Sequence, residues 1–198
     1  MINKQALTDY PVHELIASRW SPYSFDSRPV SQSDLRSLFE AARWAPSSYN
    51  EQPWTYIVAT RSDPEESEKL LSCLDEGNQA WARSAPVLVL AVISLRFSRN
   101  GKHNRHAAHD LGLASANLAT EATARGLSVH QMAGILPETA REIYGIPDGW
   151  EPWTALAIGY AAESDSPADR NQKRTRKPVS KWVFSKQWGV SSPLVAEG

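Results

Sequence analysis

Thiol chemistry is nearly closed to this chain, whose 198 residues include one cysteine, Cys73. A lone thiol makes no internal disulfide, no thiolate zinc site and no dithiol redox pair. Flanked by Leu70, Leu71 and Leu74, it reads as a small buried hydrophobe rather than a nucleophile. Charge of one sign is missing too: Lys+Arg 21 stands against Asp+Glu 22, a formal charge of −1, which argues against a dedicated nucleic-acid binder. No apolar run approaches the roughly 20 residues needed to cross a bilayer. The opening MINKQALTDYPVHELIASRW lacks the basic–apolar–small layout of a secretory signal. A cytoplasmic protein with no membrane and no nucleic-acid partner is expected. Also lacking are a G-x-G-x-x-G after any strand, a G-x-x-x-x-G-K-[ST] phosphate loop, an H-E-x-x-H zinc motif and a G-x-S-x-G elbow. His103, His106 and His109 recur beside Asp110, but this spacing suits a solvated, mildly basic helix start, and no metal site is expected.

What is present is ordinary in bulk. Hydrophobic residues at 41% and charged residues at 22% are globular values, and the length suits one domain spanning 1–198. Two counts stand out, Pro 13 and Trp 8; tryptophans need broad surfaces such as a core, a partner subunit or a planar ligand. Pro11 with Val12, Leu15 and Ile16 predicts a short first helix. Ser31 and Asp34 cap a second, with Leu35, Leu38, Phe39 and Ala42 on one face and Pro46 forbidding its continuation. Residues 54–60 read as a strand. Asp63-Pro64-Glu65-Glu66 opens a helix through Leu74, and PVLVLAVIS (86–94) reads as a central strand buried on both faces. A basic connector (95–105) leads to the longest helix, about 106–125, whose Ala, Gly and Ser content allows close packing. Residues 127–132 form a short strand, Pro137 opens a helix ending near Gly145, and 153–160 form the last strand. Beyond Ala162 the basic residues Arg170, Lys173, Arg174, Arg176, Lys177 and Lys181 dominate, and 163–198 reads as an extended arm. The expected fold is α+β, with three layers in which helices flank a mixed, largely antiparallel sheet.

Separated segments share a chemistry. Arg19-Trp20-Ser21-Pro22-Tyr23-Ser24-Phe25 combines a cation with hydroxyls, and Arg174-Thr175-Arg176-Lys177 concentrates cations; arginines near hydroxyls suit a phosphate. Ala45 to Trp54 (APSSYNEQPW) is a proline-pinned run of hydroxyl and amide groups, suited to a polyol or a polar heterocycle edge. Gln131-Met132-Ala133-Gly134 leaves a strand with little side-chain obstruction of its backbone N–H groups. Each segment also has a plain structural reading: Arg19 as a helix C-terminal cap, 47–50 as turn residues, the arm as a solvated charge run.

Together these segments resemble the FMN-dependent nitroreductase family. That family shows an R-x-S-x-R-x-F opening, an A-P-S-x-x-N-x-Q-P-W loop, a small-residue helix closing in A-x-x-x-G-L, a short strand ending in a Gly turn, and a basic C-terminal arm. Here stand Arg19, Ser21 and Phe25; Ala45 to Trp54 throughout; Ala122 to Leu127; Gly134; and Arg174 with Arg176, in the same order. The resemblance implies a nitroreductase-like α-β-α fold working as an intertwined homodimer with FMN at the interface. Arg19 and Ser21 would meet the phosphate and ring system, with Trp20 and Tyr23 at motif positions. Pro46, Ser47, Ser48 and Asn50 would come from the partner subunit, and Gln52 belongs to the same loop. Met132, Ala133 and Gly134 would lie along the ring edge near N5 and O4, and Arg174 and Arg176 on the phosphate. Asn78 and Trp81, between a glycine and the central strand, are candidates for the ribityl chain. The implied reaction is ping-pong: NADH or NADPH gives a hydride to N5 and leaves, and a small acceptor such as a nitroaromatic or quinone then takes the electrons. No side chain acts as acid or base in that scheme. Tyr23 departs from the family, which usually places Arg or Lys there, close to the ring's N1/O2 edge. Other readings stay open: a specialised branch (dehalogenase, enone reductase or flavin-consuming enzyme), a flavin-binding redox sensor without catalysis, or a plain nucleotide-binding module.

Overall fold

The computed structural model describes residues 4–163 and 174–195. Its centre is β2 (Val87–Ser94), every residue of which except Ser94 is buried. Alternation along the strand sends Val87, Val89, Ala91 and Ile93 to one helical layer and Leu88, Leu90 and Val92 to the other. A run buried on both faces is therefore apolar without interruption.

The first layer holds α2 (Gln32–Arg43) and α5 (Ala107–Ala124). Ser31 caps α2 by accepting from the Asp34 N–H, and the buried face carries Leu38 and Ala42. Leu111, Ala114, Leu118 and Ala122 of α5 pack against it and the sheet, and the Asn117 side chain donates to the Ala41 carbonyl at 3.2 Å across the two helices. The second layer holds α3 (Pro64–Ser72), α4 (Glu76–Ala82) and α6 (Pro137–Tyr144). Asp63 caps α3 with Pro64 in its first turn, as its sequence predicts. Cys73 is fully buried here beside Leu70, Leu71 and Leu74, and burial pushes its thiol pKa up. A thiol kept protonated and out of solvent is no nucleophile.

Strands β1 (Trp54–Thr60), β2, β4 (Trp150–Gly159) and β3 (Ser128–Met132) lie side by side in the order β1-β2-β4-β3. Every pairing is antiparallel, so among the described residues the sheet has no parallel pair. The α5 crossover does run β2 and β3 in one direction, but β4 inserts between them and opposes both. Other departures from the sequence reading are local. Helix α1 (Glu14–Ser18) begins after His13, whose side chain accepts from the Leu15 N–H, and not at Pro11. Residues 64–74 are not one helix: α3 stops at Ser72, and Asp75 caps the separate α4. The arm is folded rather than extended over 183–192, where Ser185 and Ser192 donate to the Val190 and Val183 carbonyls, each at 3.0 Å. Arg170 and Lys173 of the basic run lie outside the described residues.

Candidate functional site

Arg19 ends α1 and Arg174 enters the arm; together with Arg176 they line one cavity of about 930 Å³, shared with Tyr10, Lys177 and Trp182. Burial, and then Arg176, lowers the pKa of Arg19. Burial, and then the charges of Arg19 and Arg176, lowers that of Arg174. Among the described residues no carboxylate lies within ion-pair distance of any of the three, although Asp9 lines the same cavity. Like charges gathered in a half-buried cleft destabilise one another unless an anion joins them.

The three cations differ in what else they hold. Arg19 Nη1 donates to Ser21 Oγ at 3.2 Å. Arg174 is a staple: its Nη1 donates to the Lys4 and Ala17 carbonyls and its Nη2 to the Arg19 carbonyl at 2.7 Å, fixing the C-terminus of α1. Arg176 is exposed and, among the described residues, bonds only the neighbouring Thr175 carbonyl, at 2.8 Å. Arg174→Ala should therefore lower folding stability by about 2 kcal/mol and Arg176→Ala by less than about 0.5. Urea denaturation of both variants checks this, and equal losses would contradict the staple.

Where β3 ends, the chain makes a tight turn against α4. Met132 buries its side chain in the α3–α6 layer, and its carbonyl accepts from Thr154 Oγ1 at 2.8 Å. The Gly134 carbonyl accepts from the Asp75 N–H at 3.1 Å and from Asn78 Nδ2 at 3.0 Å. A Cβ on Gly134 would stand 1.9 Å from Asp75 Oδ2, so any side chain here must displace Asp75 and Asn78. The N–H groups of Ala133 and Gly134 have no hydrogen-bond partner among the described residues.

Tyr23 lies in an aromatic group, edge-on to Trp81 at 5.1 Å and to His130 at 4.6 Å, with Trp81 and His130 at 4.4 Å. His130 Nδ1 is 2.8 Å from the Pro22 carbonyl, which can only accept, so Nδ1 carries the proton. Trp20 sits elsewhere: it lines a separate cavity of about 530 Å³ with Lys4, Arg28 and Tyr160. Asp75 and His130 belong to no motif, because their contacts join segments far apart in sequence. The N-cap pattern Asp75-x-x-Asn78 is the available signal for α4.

The loop of Pro46, Ser47, Ser48, Asn50 and Gln52 is pinned from within and from α5. Gln52 N–H donates to Ser47 Oγ at 3.0 Å, Gln52 Nε2 to the Asn50 carbonyl at 3.0 Å, and Ser48 N–H to Asp110 Oδ2 at 2.9 Å. Asp110 is buried in the first turn of α5, so the aspartate beside the histidines serves as the loop's anchor. Among the described residues no group of His, Cys, Asp and Glu is arranged to hold a metal ion. None of residues 46–53 lines the arginine cavity. The register shows why. Trp54, where the loop enters edge strand β1, lies level with Ile93 and Glu151, whereas Thr60 lies level with Val87, Ile158 and Val129, the end that segment 20–25 reaches through the Phe25–Ala161 bridge. The loop thus enters the sheet about 20 Å along the strands from the end that segment 20–25 reaches.

Known proteins with this arrangement are many. The family model for the nitroreductase family matches residues 16–73 and 61–160. A solved oxidoreductase containing FMN superposes with a TM-score of 0.87 at 31% identity, covering 96% of this chain and 100% of that one. An uncharacterized 15.4 kDa protein of Mycolicibacterium smegmatis is 34% identical over 125 residues, 61% of this chain and 82% of the relative. The major NAD(P)H-flavin oxidoreductase of Aliivibrio fischeri is 24% identical over 196 residues, 79% of this chain and 90% of the relative. With the family model covering most of its length, in the order its motifs predict, this chain belongs to the nitroreductase family.

Proposed function

We propose that this chain is a cytoplasmic FMN-dependent NAD(P)H oxidoreductase that acts as a homodimer and reduces a small planar acceptor of the quinone or nitroaromatic kind. The observation that carries this reading is the cluster of Arg19, Arg174 and Arg176, with no carboxylate pairing them among the described residues. A phosphate monoester is the anion that suits it: Arg19 and Arg176 are the holding pair, while Arg174 lends charge and keeps α1 in place. The unspent N–H groups at Ala133 and Gly134 suit the heteroatoms of a flavin ring, and the fit of residues to FMN is good at both ends. The chemistry that FMN supplies when bound is two-electron exchange with a nicotinamide donor and with the acceptor. The protein's part in this reading is to hold, orient and shield, with no side chain called for as general acid or base. The separation between arginine cavity and loop supports a site completed by residues 46–53 of a second copy. One nitroreductase-like domain followed by the arm from residue 163 would then supply half of each of two sites.

The test is an anaerobic absorbance spectrum after loading with FMN and desalting, repeated with NADH and then NADPH. Retained flavin bands that bleach with a nucleotide are the expected result; no retained flavin would overturn the reading. Tyr23 adds a quantitative check. The family's cation at that position favours the negative charge of reduced flavin, and a phenol among Trp81 and His130 does not. Tyr23→Arg is therefore expected to raise the flavin midpoint potential, measured by dye equilibration, and an unchanged or lower potential would contradict it.

A further inference from the structure

The connector after β2 is a small hairpin, not a loose basic loop. Arg96 bridges His103, Phe97 N–H donates to the Lys102 carbonyl at 2.9 Å, Asn104 N–H to the Leu95 carbonyl at 2.8 Å, and buried Phe97 anchors it. From Arg96 to His109 the chain carries Arg96, Arg99, Lys102 and Arg105 and no carboxylate. All four cations are exposed, and none is ion-paired with a carboxylate among the described residues. In a chain of net charge −1 this is a local concentration of positive charge on a rigid support.

The hairpin is also locked to the loop. Ser98 N–H donates to Glu51 Oε1 at 2.7 Å, the Arg99 guanidinium lies 3.8 Å over the Tyr49 ring, and Tyr49 meets Phe97 edge-on at 5.8 Å. Tyr49 is 72% exposed. Wherever residues 46–53 dock, these cations and this aromatic–guanidinium stack dock with them. A guanidinium and an aromatic ring suit the face of a purine, and the neighbouring ammonium and guanidinium groups suit a phosphate monoester.

We infer that the 96–105 hairpin, with Tyr49, is the recognition site for the adenosine 2′-phosphate of NADPH, making NADPH the preferred hydride donor. This rests on the proposed oxidoreductase reading, in which the loop joins the partner's flavin site. The patch thereby separates the two donors, because both can use the Arg99–Tyr49 stack but NADH lacks the phosphate and gains nothing from Lys102 and Arg105.

The test is calorimetric titration of FMN-loaded protein with adenosine 2′,5′-bisphosphate and with adenosine 5′-monophosphate, on the natural chain and on a Lys102→Ala/Arg105→Ala variant, which keeps the Arg99–Tyr49 stack. Neither side chain is in the core, and the flavin content of each sample is read from its spectrum. The natural chain is expected to prefer the bisphosphate by about tenfold or more, and the variant to lose most of that preference. In steady state, the variant's kcat/KM for NADPH should fall by a similar factor while that for NADH and the flavin content hold. Equal binding of the two nucleotides by the flavin-loaded natural chain, or a preference that survives the double substitution, would overturn this inference alone. Protein that retains no flavin overturns the oxidoreductase reading and this assignment with it.

Discussion

Arg19→Ala combined with Arg176→Ala is expected to weaken FMN binding by at least about a hundredfold, since each guanidinium lost removes a charge-assisted contact to the phosphate. Titration of the flavin-free protein, followed by quenching of flavin fluorescence, measures this directly. Riboflavin is the control that assigns the effect. It lacks the phosphate, so the natural chain should bind FMN far more tightly than riboflavin, and the double variant should bind the two nearly alike. Arg174 is left in place because its donors hold the Lys4, Ala17 and Arg19 carbonyls, and its loss would confuse unfolding with lost affinity. A double variant that still discriminates between FMN and riboflavin would move the phosphate elsewhere.

Gly134→Ala is the second large effect, and it acts on the fold. The added methyl would stand 1.9 Å from Asp75 Oδ2 and 2.5 Å from Asn78 Nδ2. Both side chains are committed: Asp75 caps α4 by accepting from the Asn78 N–H at 2.8 Å, and Asn78 donates to the Gly134 carbonyl. Relief therefore costs a cap or a hydrogen bond, and the expected loss is about 2–3 kcal/mol by urea denaturation. Asp75→Ala by itself should cost about 1 kcal/mol. The double variant should be less destabilised than the sum, with a coupling of about 1 kcal/mol or more, because removing the carboxylate makes room for the methyl. Strict additivity would place the clash on some other group.

The parts legible in the sequence were those set by local rules. Ser31 with Asp34 and Asp63 with Pro64 announce their helices because capping is decided within one turn. Residues 54–60 and 86–94 announce their strands because burial imposes its pattern on consecutive residues. Legibility failed where a local signal was contradicted from afar. The first part of β4, Trp150 to Pro152, hides behind Pro152, which donates no ladder bond; the structure places it opposite Val92, at the register shift beside Ala91. Helix α4 hides because it is short and its sequence, EGNQAWA, has no apolar period. In the candidate site, the motif positions were readable and their grouping was not. That Arg174 braces backbone, that Trp20 faces another cavity, and that Asp110 anchors the 46–53 loop depend on long-range contacts no spacing encodes.

The backbone of that loop bears on how this protein tolerates heat. Tyr49, Asn50 and Gln52 are all left-handed, with φ of 55°, 54° and 51°. Asparagine accepts this conformation readily, but tyrosine and glutamine do so at about 1 kcal/mol or more each. The native chain thus keeps a distorted segment wound at its surface, held by Asp110 and Glu51. Selection for thermal tolerance has an open route here, since glycine at position 52 would release the distortion and raise the melting temperature. A loosely wound loop would also present its hydroxyls and amides less sharply, so a heat-hardened relative bearing such glycines should show slower turnover at ordinary temperature.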